Sequence, residues 1–309
     1  MSVLLLTQPQ PPAMFAGVLR ELLPEVPVWE HADDVDPDAV EAILAWQLKG
    51  GILDRYPNLR LLCATAAGVE KITGVPDLRA DVQVMRTVDP SVNTGLAQYV
   101  LLMALRQVRG MQRFEAQQRA HDWTRQRPPD PFTVTAGVLG MGEVGRTVAK
   151  ALQVAGFNVC GWSRTPKHMP GVSMSHGHDG LQTCLRQSHY LVCTLPLTAQ
   201  TLGILDRNTL ALLPRGAYVI NVARGGHLVE PDLIALLDSG HLAGAALDVQ
   251  QIEPLPAESP LWDHPAITIT PHIAAQASVA SVATQFAENW KRLRASLPLV
   301  NVIDRDRGY

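Results

Sequence analysis

Paired cysteines are missing from this chain. Its four cysteines, Cys63, Cys160, Cys184 and Cys193, form neither a CxxC pair nor a zinc-finger spacing. That excludes a disulfide-stapled scaffold or a zinc ribbon and leads us to expect buried free thiols in a reducing compartment. Three of the four stand in or beside apolar strand-like runs. An excess of either charge is also lacking: 26 basic residues face 29 acidic ones. Nothing in that balance calls for a nucleic acid or an anionic membrane as partner. No apolar run approaches the roughly 18 residues of a membrane-spanning helix. The opening "MSVLLLTQPQPP" has no basic leader and runs straight into prolines, so it reads as a first β-strand rather than a signal peptide, and a cytoplasmic protein is expected. Neither an internal repeat nor a low-complexity tract is visible. What remains is a hydrophobic share of 47% and a charged share of 18% over 309 residues, which describes a folded chain of two domains rather than a disordered one.

Strand and helix patterns alternate nearly from end to end, as in parallel sheets covered by helices on both faces. Short apolar runs at 3–7, 42–46, 59–66 and 82–88 are expected strands of a first sheet. A continuous helix is expected over 94–123, at a domain boundary. After the breaker-rich "RQRPPDPF" a second alternation offers strands at 133–140, 157–162, 189–196, 217–223, 242–249 and 266–271, the content of a full dinucleotide-binding sheet. A last helix, 275–296, is placed to pack back on the first domain.

The segment "GVLGMGEVGRTVAK" (137–150) carries G-x-G-x-x-G at Gly140, Gly142 and Gly145, after an apolar strand and at the start of an amphipathic helix. In that context Gly140 makes the tight turn, Gly142 lets the backbone approach a pyrophosphate, and Gly145 lets helix and strand pack closely. The anion sits on the N–H groups at the positive helix start; Met141, Glu143 and Val144 share that turn as expected cofactor contacts. Twenty-three residues beyond Gly140 lies Ser163, in "NVCGWSRTPK". An acid near this position binds a ribose 2′-OH, whereas an arginine suits a 2′-phosphate. Here no acid is present. Arg164 offers a bidentate clamp, Ser163 and Thr165 offer hydroxyls, and Lys167 adds charge. The expectation is NADPH in preference to NADH; the alternative is a solvated basic turn without consequence.

Ligands of such sheets bind beyond the carboxyl ends of the strands. Arg224 follows the strand 217–223, Glu253 follows 242–249, and His272 follows 266–271. These three types suit hydride transfer to a 2-oxo acid. Arg224 can clamp the carboxylate and polarise the keto oxygen. His272 can give that oxygen a proton, since imidazoles titrate near neutrality, and Glu253 can orient the ring and stabilise its charged form. Each has a plain structural alternative: a surface charge, a loop or capping acid, a hydrogen-bonded core histidine.

Together "VLGMGEVGRTVA", "CTLPLTAQT", "NVARGGHLVEPDLIALLDSGHLAGAALDV" and "EPLPAESPLWDHPAITITPH" resemble the D-isomer-specific 2-hydroxyacid dehydrogenase family. "WSRT" and "SPLW.HP" are similar to its glyoxylate/hydroxypyruvate reductase A branch. The likeness is dense over 133–275 and looser before residue 100. It implies two doubly wound parallel-sheet α/β domains: a flavodoxin-like substrate domain from 1–97 plus 279–309, and a Rossmann NADP-binding domain at 98–278 inserted in it, with catalysis in the cleft between them. It implies that Arg224, Glu253 and His272 are catalytic, and that Leu195, Pro196, Thr201, Val222, Ala223, Asp248 and Ala274 contact the cofactor. "TAAGVEKI" (65–72) resembles the family's G-A-G-V-D loop, whose backbone N–H groups receive the substrate carboxylate. Ala66 and Glu70 replace the usual Gly and Asp, leaving Ala67 and Gly68 as contacts. Trp46 either walls the substrate pocket or is a core residue. Gln98 stands where the family often has Glu, and the residues offer no account of that change. His176 and His178 lie in a Gly/Ser-rich loop without a third ligand, so no metal is expected.

The implied activity is reduction of glyoxylate, hydroxypyruvate or a similar small 2-oxo acid by NADPH, giving the D-hydroxy acid where the product is chiral. A bulkier keto acid such as phenylpyruvate is the same-class alternative, and a nicotinamide-sensing binding protein the alternative of another class. The resemblance further implies a homodimer, with the segment 109–123 at its interface and Trp123 as an anchor.

Overall fold

The structure is a computed structural model describing residues 1–127, 129–130 and 133–304. Part of the breaker segment 125–132, and the last five residues of the expected substrate domain, lie outside the described residues. The chain divides into two compact units, Met1–Ser91 with the segment from Gln276 onward, and Val92–Ala275. These junctions stand a few residues from the expected 97/98 and 278/279, at the start of a helix and just before one.

The first unit is built on a five-stranded parallel sheet. Its elements are β1 (Ser2–Leu6), α1 (Pro12–Leu22), β2 (Val28–Trp29), β3 (Val40–Ala45), β4 (Leu61–Ala64), α2 (Glu70–Thr73), β5 (Gln83–Met85) and α9 (Val279–Arg294). The spatial order β2-β1-β3-β4-β5 is the flavodoxin-like arrangement. Both faces are covered, which is why the strands read as nearly unbroken apolar runs. Val3, Leu5, Ala42, Leu44, Leu61 and Cys63 face α1 and α9, where Phe15, Leu19, Phe286 and Trp290 complete one core. Leu4, Ile43, Leu62 and Ala64 face the other way, toward Tyr56, Leu59 and Ile72. Ser278 starts α9 by accepting the Ser281 N–H. The two-residue β2 is too short for any periodicity to reveal, and no strand was expected there.

The second unit holds α3 (Pro90–Val108), α4 (Met111–Arg119), β6 (Thr135–Leu139), α5 (Glu143–Val154), β7 (Asn158–Ser163), β8 (Ser173–His176), α6 (Gly177–Gln187), β9 (Tyr190–Cys193), α7 (Arg207–Leu210), β10 (Ala217–Asn221), α8 (Glu230–Asp238), β11 (Leu242–Leu247) and β12 (Ile267–Ile269). Seven parallel strands run in the order β12-β11-β10-β9-β6-β7-β8. From β8 through β11 this is the Rossmann order 3-2-1-4-5-6, with β12 added at the far edge. Ala136, Val138, Val192 and Ile220 alternate with Leu139, Leu191, Cys193 and Val219 to fill two cores, one on each face. The expected fold class, two doubly wound α/β domains, is the one observed.

Two local expectations are corrected. The continuous helix over 94–123 is two helices, broken where Gly110 takes a left-handed backbone (φ +64°) and begins α4. α4 buries no residue and ends at Arg119, so Trp123 lies beyond its last turn. The Gly/Ser-rich loop expected around His176 and His178 is instead the end of edge strand β8 and the start of α6. Its sequence "SMSH" pairs only with β7 and is only partly buried, so it shows no apolar run.

Candidate active site

The strands of the second unit end in one line. Trp162, Leu139, Cys193, Asn221, Leu247 and Ile269 are register partners across the sheet. The next residues of each strand therefore form one row at its carboxyl edge, and every expected site residue of this unit comes from that row or the turn behind it.

Gly140 opens the row with φ +97°, and a Cβ there would stand 2.8 Å from the Thr194 carbonyl oxygen. At Gly145 a Cβ would stand 1.8 Å from the Gly140 oxygen, whereas at Gly142 it would meet nothing within 4 Å. So Gly140 and Gly145 are demanded by the protein's own packing, and the space over Gly142 lies open at the start of α5. No side chain caps α5 there among the described residues. Such a start, with its N–H groups outward, fits a pyrophosphate. Thr194 fastens the turn, donating from Oγ1 to the Gly140 carbonyl at 2.7 Å. Met141 is buried with its sulfur against Gly161; Glu143 is exposed and Val144 half-buried.

After β7, Arg164 and Thr165 are exposed. Arg164 donates to Gln200 Oε1 at 3.3 Å. Lys167 Nζ donates to the Met141 carbonyl at 2.9 Å, tying the basic turn to the glycine turn. Ser163 differs from expectation. It is buried and its hydroxyl donates to the Thr165 carbonyl at 2.8 Å, so in this conformation its proton shapes the turn and Arg164 and Thr165 are the outward donors.

The histidine and its carboxylate meet. His272 Nδ1 lies 3.0 Å from Glu253 Oε2 and 3.2 Å from Oε1. Both side chains are about four-fifths buried, at 23% and 20% exposure, so the pairing is partly shielded from water. Glu253 thus engages the ring through Nδ1. Gln250 N–H also donates to Glu253 Oε1. His272 itself is held in a left-handed backbone, φ 55°, an uncommon conformation for a side-chain-bearing residue. The cause is next to it: its N–H donates to the Asp248 carbonyl at 2.8 Å. The buried Asp248 carboxylate takes the N–H groups of Ile273 (2.8 Å) and Ala274 (2.9 Å) and the Thr270 hydroxyl. Because Thr270 spends its one proton on that carboxylate, Tyr99 is the donor in its 2.7 Å bond to Thr270. Burial pushes the Tyr99 hydroxyl up to about 12, which keeps it protonated. Asp248, expected as a cofactor contact, thus has both oxygens engaged in fixing the histidine loop.

Arg224 stands half-buried after β10. Its Nη1 donates to the Ala223 carbonyl at 2.7 Å, and Asn221 Nδ2 donates to the Arg224 carbonyl at 3.0 Å. Gly225 brings this turn against the Glu253 loop, since a Cβ on it would lie 1.9 Å from the Gln250 carbonyl carbon. Leu195, Val222, Ala223 and Ala274 are buried apolar residues of the same row. Thr201 Oγ1 donates to the Pro196 carbonyl at 2.7 Å, holding its own loop.

In the first unit, Ala67 is exposed and Gly68 half-buried, between the end of β4 and α2. The Ala66 carbonyl accepts from Thr87 N–H at 3.0 Å, which pins the loop. Trp46 is half-buried, with Lys71 Nζ 5.2 Å from its ring centroid, so it is no plain core residue. His176 ends β8 and His178 lies in α6; among the described residues no group of three or more His, Cys, Asp or Glu is placed to hold a metal.

Sequence reasoning missed Asn221, His227, Thr194, Thr270 and Tyr99. Each acts on backbone or on another side chain; Asn221, Thr194, His227 and Thr270 lie within the family-like motifs, and Tyr99 does not.

Comparison with known proteins identifies the family and the fold. The family model described as D-isomer specific 2-hydroxyacid dehydrogenase, NAD binding domain, matches residues 101–274. A glyoxylate/hydroxypyruvate reductase A of Yersinia enterocolitica is 36% identical over 286 residues, covering 91% of this chain and 90% of that protein. Among solved structures, a D-isomer specific 2-hydroxyacid dehydrogenase from Xanthobacter autotrophicus Py2, in complex with NADPH and MES, superposes with TM-score 0.90. It is 39% identical, over 100% of this chain and 99% of that one. An NADPH-dependent glyoxylate/hydroxypyruvate reductase from Sinorhizobium meliloti, in complex with NADP and sulfate, gives TM-score 0.91 at 32% identity over the whole of both chains. Fold and site define a nicotinamide-type oxidoreductase built on two doubly wound domains. The chain belongs to the D-isomer-specific 2-hydroxyacid dehydrogenase family, on its glyoxylate/hydroxypyruvate reductase A branch.

Proposed function

We propose that this protein reduces small 2-oxo acids, glyoxylate and hydroxypyruvate, to 2-hydroxy acids with NADPH, yielding the D-isomer where the product is chiral. The His272–Glu253 pair, 3.0 Å apart at the carboxyl edge of a Rossmann sheet, is the observation that carries the reading. Arg224 binds the substrate carboxylate and polarises the keto oxygen. Backbone N–H groups at Ala67 and Gly68 receive the same carboxylate, and Trp46 walls the substrate. The turn at Gly140, Gly142 and Gly145 would hold the pyrophosphate of a nicotinamide dinucleotide, which would supply the hydride when bound. His272 Nε2 gives its proton to the carbonyl oxygen, and Glu253 keeps the imidazole oriented and stabilises it when charged. Residues 98–278 carry the cofactor and the remainder the substrate loop.

NADPH in preference to NADH is supported by Arg164 and Thr165 exposed after β7 with no acid beside them, and by the NADPH and NADP complexes of two relatives. Leu102, Met111 and Trp123, exposed at 58%, 43% and 94%, suit the apolar face of a homodimer, and the four buried free thiols suit a cytoplasmic enzyme.

Turnover of glyoxylate, hydroxypyruvate and phenylpyruvate, each with NADPH and with NADH, tests the reading. The two small acids with NADPH are expected to give the highest kcat/KM. A clear preference for phenylpyruvate overturns the substrate assignment, and an NADPH/NADH ratio that Arg164→Ala leaves unchanged overturns the cofactor assignment.

A further inference from the structure

The geometry points to His227 as a positioning residue that couples the backbone of Arg224 to the loop at 194–201. Its ring is fully buried and neither catalysis nor cofactor contact has been assigned to it. Polar groups meet both ring nitrogens. The Arg224 N–H donates to Nδ1 at 3.2 Å, the Arg224 carbonyl lies 3.0 Å from Nδ1, and the Pro196 carbonyl lies 3.2 Å from Nε2.

These contacts select a tautomer. The Arg224 carbonyl already accepts from Asn221 Nδ2 at 3.0 Å, whereas the Arg224 N–H can only donate, so Nδ1 presents its lone pair to that N–H and the ring proton sits on Nε2, where it meets the Pro196 carbonyl. A neutral imidazole with its proton on Nε2 satisfies both ends. The other neutral tautomer could give its Nδ1 proton to the Arg224 carbonyl, but it would leave the Arg224 N–H facing an N–H and Nε2 facing a carbonyl with no proton between them, which is costly in a buried place.

The link joins two parts of the proposed site. On one side it holds Arg224 at the point where β10 ends. On the other it holds the Pro196 carbonyl, which also accepts from Thr201 Oγ1, inside the loop of Leu195, Pro196 and Thr201. The backbone already brings these segments together, through Gly203 N–H to the Gly226 carbonyl and Leu205 N–H to the His227 carbonyl, each 2.8 Å. The ring extends that pairing to Pro196. Placement of the arginine and of the cofactor-side loop is thereby one geometry rather than two. The inference rests on the proposed role of Arg224 for its functional consequence, not for the link itself.

Two isosteres separate the ends, because the side-chain oxygen of Asn reaches the place of Nδ1 and the amide nitrogen of Gln the place of Nε2. His227→Asn keeps an acceptor for the Arg224 N–H and loses the Pro196 tie. Its larger defect is expected in KM for NADPH, about tenfold. His227→Gln keeps a donor for Pro196 and loses the Arg224 tie. Its larger defect is expected in kcat/KM for glyoxylate at saturating NADPH, again about tenfold. Equal losses of both quantities in both variants, or no loss in either, overturn the coupling. Nitrogen-15 NMR of the whole histidine-labelled protein at pH 7.5 gives a test that no variant's folding affects: His227 is expected as the neutral form protonated at Nε2, and protonation at Nδ1 overturns the link. Should wild-type protein turn over no 2-oxo acid, the proposed function fails while the NMR result still decides on His227.

Discussion

The imidazole of His272 owes its place to the backbone and carboxylate of Asp248. Its left-handed backbone is held by the Asp248 carbonyl, and the two residues after it by the Asp248 carboxylate. His272→Asn isolates the chemistry, because Asn tolerates that backbone. We expect kcat to fall by about 10² or more with the thermal midpoint nearly unmoved, and near-normal turnover would remove His272 as proton donor. Asp248→Asn preserves shape but turns one oxygen into a donor facing an N–H or hydroxyl donor. A loss of about 2 kcal/mol in denaturant unfolding is expected, together with a lower kcat as the histidine loop loosens. Tyr99 adds a pH effect. Its hydroxyl is raised to about 12 by burial, against about 10 in an unfolded chain. Its contribution to stability is therefore complete below about pH 10 and is lost as pH rises toward 12. Unfolding of Tyr99→Phe between pH 10 and 12 is expected to show a shallower decline than wild type, from a starting point about 1 kcal/mol lower for the lost hydrogen bond.

At the scale of elements, the carboxyl edge works because the strands stop together and each is followed by a turn with one demand. Between β6 and α5 the demand is closeness. Gly145→Ala puts a methyl 1.8 Å from the Gly140 oxygen, so the helix must move. A loss of about 2 kcal/mol in stability is expected, with weaker cofactor binding by calorimetry; Gly142→Ala, in open space, is expected to weaken binding with little effect on unfolding. Unchanged cofactor affinity in both would argue against the pyrophosphate site. Between β7 and β8 the demand is charge, and Lys167 anchored on the Met141 carbonyl makes the basic turn an extension of the glycine turn.

For the molecule as a whole, a ligand that binds only the folded form adds to stability by mass action. NADPH at one hundred times its Kd is expected to add about 2.7 kcal/mol, read as a rise in the thermal midpoint. Arg164→Ala is expected to lower the increment at the same NADPH concentration while leaving that of NADH in place. An equal increment in variant and wild type counts against the 2′-phosphate reading.

Elements buried on both faces were legible because burial leaves an apolar run in the chain itself: all ten expected strands exist, and the glycine spacing with Arg164 beyond it marks a turn by local chemistry alone. Edge strand β8 and two-residue β2 left no such trace, and Gly110 alone did not mark a break. Residue types and spacing in the sequence therefore determined the two parallel sheets, the glycine turn and the choice of Arg224, Glu253 and His272 as chemistry-bearing groups. Only the tertiary structure decided that Ser163 turns its proton inward, that Asp248 and Tyr99 hold the histidine loop, and that His227 bridges Arg224 to Pro196. Those are hydrogen bonds between residues that the fold brings together, and their partners are set by direction and distance, which one-dimensional spacing does not carry.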